Sequence, residues 1–161
     1  MKTIPQDLID VIWEEALSMA PDAAEARMLK VLEAQPGICA YLVFLDEDLL
    51  PPEEQGMIMM IGYCILTCME RGGARLRKVE PEEIEDLEQA NLAFLESLDE
   101  GREVDFMSVV AKMLKTYPQA PLLKTVLETL MEGYEEDLDN APENTGMIFL
   151  HLKTVIDAVS R

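Results

Sequence analysis

Apolar residues recur along this chain at intervals of three and four, the spacing of helices that bury one face. Residues 6–19 place Leu8, Ile9, Ile12, Trp13, Ala16 and Leu17 on one stripe with Glu14 and Glu15 outside it, and Pro5 is well placed to start that helix. A second helix opens at Pro21-Asp22, carries Ala24, Met28, Val31 and Leu32, and is expected to end at Pro36-Gly37. Residues 38–45 are apolar on every side, as in a helix buried by neighbours all round. After the acidic turn Asp46-Glu47-Asp48, the pair Pro51-Pro52 opens the most hydrophobic segment, expected to run from Glu53 to about Arg71 and to stop at Gly72-Gly73. This segment reads as the central helix of the domain.

A second set of four follows. Pro81-Glu82-Glu83 is a strong helix start, with the stripe Ile84, Leu87, Phe94, Leu95 and Leu98 ending at Gly101. Phe106, Val109, Val110, Met113, Leu114 and Tyr117 define the next helix, and Leu122, Leu123, Val126, Leu127, Leu130 and Met131 the one after. The last is expected from Pro142 to about Ser160, with Ile148, Leu152, Val155, Ile156 and Val159 on one face. No alternating apolar and polar run competes, and the apolar segments favour Leu and Met over Val and Thr.

The two sets share a word. Pro52-Glu53-x-x-Gly56-Met57-Ile58 returns as Pro142-Glu143-x-x-Gly146-Met147-Ile148, and Glu47-Asp48-Leu49 before the first answers Glu136-Asp137-Leu138 before the second. Met28-Leu29-Lys30 matches Met113-Leu114-Lys115, and Pro36, Leu42, Leu45 and Glu47 match Pro121, Leu127, Leu130 and Glu132 at the same offset. Pro and Glu suit any first turn, but Gly costs about 1 kcal/mol relative to Ala inside a helix. A repeated Gly56 and Gly146 therefore suggests close approach of another helix. Tetratricopeptide and ankyrin patterns are absent. The expected fold is all-α: one compact domain over 1–161, an eight-helix bundle built from two tandem, related four-helix units, approximately 1–79 and 80–161, around a very apolar central helix.

Charge narrows the function classes. At 161 residues the chain carries 32 acidic and 13 basic side chains, a formal net charge of −19, which disfavours contact with nucleic-acid phosphates or anionic membranes. Residues 1–79 hold 7 basic and 13 acidic side chains, and residues 80–161 hold 6 and 19. An odd set of cysteines, Cys39, Cys64 and Cys68, suits a reducing cytoplasm. The amino terminus turns polar at once, unlike a signal peptide, and the uncharged stretches 36–45 and 55–69 fall short of the ~18 residues a membrane span needs.

The catalytic inventory is thin. Cys64 and Cys68 share a helix face, but a zinc site would need Cys39 and His151 as well, and cysteines among Ile, Leu and Met behave as small hydrophobes, so no metal or cofactor is expected. His151 is the only histidine, which removes a di-iron bundle and favours a partly exposed structural role over general-base chemistry. Asp137-x-Asp139-Asn140 begins like a calcium loop, but Pro142 and Ile148 stand where that loop needs glycine and glutamate. The basic island Arg71, Arg75, Arg77 and Lys78 is a candidate partner-binding patch, with neutralisation of the helix end and of the acidic run at 80–88 as the structural alternative. Met57, Met59, Met60 and Met69 on one helix suit either a core or an adaptable apolar surface. These features point to a non-enzymatic interaction or scaffold protein acting through an apolar helical face or groove, with a partner helix or a second copy as its ligand. The alternatives are an enzyme using carboxylates, Tyr63 or the Cys64 region in a buried pocket, an acidic nucleic-acid mimic with a carboxylate stripe over 80–105 and 132–143, and a small-molecule binder.

Overall fold

The computed structural model describes residues 2–46, 52–98, 106–132 and 145–160. Eight helices occupy them: α1 (Gln6–Ser18), α2 (Pro21–Glu33), α3 (Pro36–Asp46), α4 (Pro52–Arg71), α5 (Pro81–Leu98), α6 (Phe106–Leu114), α7 (Ala120–Glu132) and α8 (Thr145–Val159). Among the described residues there is no strand, and no helix is long and apolar enough to cross a membrane. Both acidic lead-ins, Gly101, the calcium-like run and the words' Pro142 and Glu143 lie outside the described residues.

Prolines set several starts, because each first-turn N–H lacks an intrahelical acceptor and proline gives none up. Pro36-Gly37, expected to end α2, instead opens α3: α2 stops at Glu33, and only Ala34 and Gln35 separate the two helices. Gly37 is needed there because a Cβ would lie 2.7 Å from the Val79 carbonyl oxygen. The α4 end is a Schellman cap: Gly73, at φ +94°, donates to the Glu70 carbonyl, and the Ala74 N–H donates to that of Met69.

Hydrophobic burial joins the helices. Residues 61–69 of α4 are all buried, and α4 packs against α1, α2, α3 and α8. Each fully buried Ile, Leu or Met side chain there contributes about 1.5–3 kcal/mol relative to exposure. Close helix approach occurs at Gly62, where a Cβ would stand 2.5 Å from Leu42 Cδ1 of α3. The approach expected at Gly56 is absent: nothing lies within 4 Å of where its Cβ would be.

Four contacts of the first half have a counterpart elsewhere, whereas α2 on α4 and α3 on α8 have none of similar extent among the described residues. α1 packs on α4 as α5 does on α8, α3 on α4 as α7 on α8, α2 on α3 as α6 on α7, and α3 on α5 as α7 on α1. Buried glutamines tie the ends together. Gln35 accepts from the Val79 N–H (3.1 Å) and donates to the Arg77 carbonyl (2.9 Å), while Gln119 accepts from the Ile4 N–H and donates to the Lys2 carbonyl, both at 3.0 Å. The Trp13 indole N–H adds a bond from α1 to Thr129 of α7 (3.0 Å).

Candidate functional site

α2 is loosely held. Leu32 is its only buried residue, Leu29 is 54% exposed, and a hollow opens on each side. This follows from its sequence: residues 24, 28 and 32 supply the inward stripe, whereas Arg27 and Lys30 turn the next face polar.

The first hollow is apolar. It has a volume of about 550 Å³ and is lined by Ala16 and Met19 at the end of α1, by Ala24, Met28, Leu29 and Leu32 of α2, and by Gly56, Met59, Met60 and Tyr63 of α4. Gly56 widens this cleft because it adds no side chain to the wall. Thioether side chains with three rotatable bonds suit a wall that must adapt to varied apolar shapes.

The second hollow, about 840 Å³, lies between α2, α4 and the segment leading out of α4. Arg27, Lys30, Arg71 and Arg75 line it against a single carboxylate, Glu70, over a partly apolar wall of Val31, Leu66 and Leu76. Tyr63 belongs to both hollows, and a smaller one of about 410 Å³ joins Glu15 and Met19 to Arg27 and Arg71. Thr67 also lines the basic groove, and its buried Oγ1 has no hydrogen-bond partner among the described residues.

The basic island therefore divides. Arg71 and Arg75 enter the groove, with Arg71 Nη1 also 2.8 Å from Glu15 Oε2. Arg77 instead makes a two-pronged bond to Glu83 at 2.9 and 2.6 Å, pairing with the acidic run, and exposed Lys78 lines neither hollow. Arg27 and Lys30 were missing from the sequence-based patch. Their i,i+3 spacing on α2 was the available signal, but nothing local placed that face beside the end of α4.

His151 is buried rather than partly exposed, at 4% exposure, because α5 covers that side of α8. Its Nε2 lies 3.4 Å from Glu88 Oε1, and the Tyr41 ring meets the imidazole edge-on with centroids 5.7 Å apart. Nδ1 has no hydrogen-bond partner among the described residues. Burial pushes the His151 pKa down and the Glu88 pKa up, the latter opposed by the Tyr41 hydroxyl, which donates to the carboxylate at 3.5 Å, and reinforced by Glu85. Both shifts favour neutral side chains.

Further along α8, Asp157 accepts from the Lys153 ammonium (2.7 Å), the Asn91 amide (3.2 Å) and the Tyr117 hydroxyl (2.5 Å), and Lys153 also donates to Asn91 Oδ1 (2.8 Å). Burial, then the Asp157 charge, pushes the Tyr117 pKa up and keeps the phenol protonated. This seam fastens α5 and the turn after α6 to α8.

Burial likewise pushes the Cys64 and Cys68 thiols up to about 12, so neither is a ready nucleophile at neutral pH. Among the described residues no three His, Cys, Asp or Glu side chains gather as a metal-holding group. Compared with known proteins, the chain matches no family model, no curated protein and no solved structure. The α2 hollows are thus the candidate site on geometry alone.

Proposed function

We propose that this chain is a non-enzymatic helical interaction protein that seats an amphipathic helix of a partner protein in the methionine-lined cleft of α1, α2 and α4. The observation that carries this reading is the cleft itself: a hollow of about 550 Å³ walled by Met19, Met28, Met59 and Met60, with Leu29 exposed at 54% beside it. Helix-in-groove recognition needs such a wall, into which residues at i, i+3, i+4 and i+7 fit. Self-pairing is disfavoured by the net charge of −19 on each copy. Arg27 and Arg71 at the adjoining hollow favour a partner helix with acidic flanks. No metal or cofactor is part of this function, and a reducing cytoplasm fits the three free cysteines.

The two halves are, in this reading, related four-helix units around α4. The reciprocal Gln35 and Gln119 bonds and the matching helix pairs support it. At the offset set by Gly56 and Gly146, Tyr63 and Thr67 correspond to Lys153 and Asp157. In the second unit that strip is closed by Asn91 and Tyr117, whereas in the first it borders the hollows. Among the described residues, this strip of the first unit is open to a ligand.

A synthetic helical peptide with Leu at i, i+3, i+4 and i+7 and Glu on its flanks tests the proposal, beside a scrambled peptide of identical composition. Methionine methyl resonances of Met28, Met59 and Met60 should shift saturably with the ordered peptide alone, and Leu29→Glu should abolish the shift. Equal effects of both peptides would defeat the reading. A dimer by light scattering that Leu29→Glu dissociates would make the occupant a second copy instead.

A further inference from the structure

We propose that the groove between α2 and the end of α4 binds a small organic phosphate, a ligand with a phosphate monoester group and a compact apolar body. The first reason is charge that the chain leaves unspent. Although it has 32 acidic side chains, Arg27, Lys30 and Arg75 form no ion pair with any described residue, and Arg71 forms one, through Nη1 to Glu15. In so acidic a protein, three cations that converge on one hollow of about 840 Å³ without an ion pair to a described residue, Arg27 donating only to the Met19 sulfur, are a selective feature of that hollow.

Nor are these cations consumed in satisfying the α4 terminus. The Schellman bonds from Gly73 and Ala74 already occupy the carbonyls of Glu70 and Met69. Thr67 supplies an independent observation: it lines the groove, only 8% of its surface is exposed, and its Oγ1 has no hydrogen-bond partner among the described residues. The hydroxyl itself is covered in the closed fold, and turning it to the groove face would let it donate to a ligand oxygen.

Two features select the ligand class. A phosphate monoester carries about −1.5 to −2 charge and three strong acceptor oxygens, matched to forked guanidinium donors better than a monoanionic carboxylate is. The volume is in the range of small-molecule sites, about 300–1,000 Å³, and the Val31, Leu66 and Leu76 wall with Tyr63 is suited to an apolar body. This inference does not depend on the methionine-lined cleft or its partner helix.

The test uses phenyl phosphate as probe, with benzoate and inorganic phosphate as comparisons, titrated into the whole chain while the backbone amides of residues 66–75 are followed by NMR. Saturable shifts are expected with phenyl phosphate, at an affinity about tenfold above either comparison, the equivalent of one or two charge-assisted contacts. Lys30 and Arg75 are exposed, so the double variant Lys30→Ala/Arg75→Ala should keep the wild-type urea midpoint while weakening phenyl phosphate by at least about tenfold. Thr67→Val keeps the side-chain shape and should weaken the same probe severalfold. Benzoate binding as tightly as phenyl phosphate would remove the phosphate assignment, and inorganic phosphate binding as tightly would remove the apolar body. Unchanged affinity in the double variant would mean diffuse charge attraction and overturn the site.

Discussion

Gln119 makes to Ile4 and Lys2 the same two hydrogen bonds that Gln35 makes to Val79 and Arg77. Each glutamine stands just before the third helix of one half, and each clamps the extended segment that leads into the first helix of the other. Both side chains are buried, Gln119 at 1% and Gln35 at 3% exposure, so their amides are committed to these backbone groups.

Gln119→Ala should destabilise the fold by about 1–3 kcal/mol, because it strands the buried Ile4 N–H. Gln35→Ala should cost a similar amount through Val79. Urea unfolding of the two single variants measures both.

Glycine positions in α3 and α4 should respond with opposite signs. Gly56→Ala has open space and should gain about 0.5–1 kcal/mol of helix stability. Gly37→Ala would press a Cβ onto the Val79 carbonyl and should lose about 1–3 kcal/mol. Chemical denaturation distinguishes the two.

The Asp157 seam should be costly to break on one side only. Asp157→Ala leaves the Lys153 ammonium, whose side chain is 12% exposed, without its carboxylate, an expected loss of about 3–5 kcal/mol. The double variant Lys153→Met/Asp157→Leu should recover most of that loss, since removing both charges removes the stranded one. A double-mutant cycle by urea denaturation reads the difference.

His151 is the chain's single histidine, and burial holds its pKa below the ordinary 6.5. As pH falls through about 6.5 the unfolded chain takes up this proton before the folded one does, so stability is lost until the folded imidazole also protonates. Glu88 faces it from α5 and has the opposite sign: its raised folded-state pKa adds stability as pH falls through that value and below the ordinary 4.5. His151→Gln should remove the loss that begins near pH 6.5, leaving the Glu88 contribution at lower pH. Unfolding free energies measured from about pH 7.5 to 4.5 check the sign.

Cys39, partly exposed, should be alkylated in the native protein at pH 8, whereas Cys64 and Cys68, buried and pushed up to about 12, should react only on unfolding. Mass spectrometry after an iodoacetamide pulse, with and without urea, reports the order. Rapid native labelling of Cys64 would contradict the burial of α4.

Helix number and position were legible along the chain because they depend on local terms: apolar residues at three-and-four spacing, prolines in first turns and the Gly72-Gly73 stop. Pro36-Gly37 was misread because proline signals an end and a beginning with the same residue, and only the short α2–α3 junction separates the two meanings. Half of the basic patch, Arg71 and Arg75, was visible as a run, while Arg27 and Lys30 reach the same hollow from 41 or more residues away in sequence. The sequence favours a partly exposed His151, but whether that side of α8 is wet depends on which helix lies against it, and here α5 does. Local chemistry thus decides where this chain coils, because helix hydrogen bonds close within four residues. Burial, the glutamine clamps and the two hollows depend on contacts between residues far apart in sequence, and these exist only once the helices have packed.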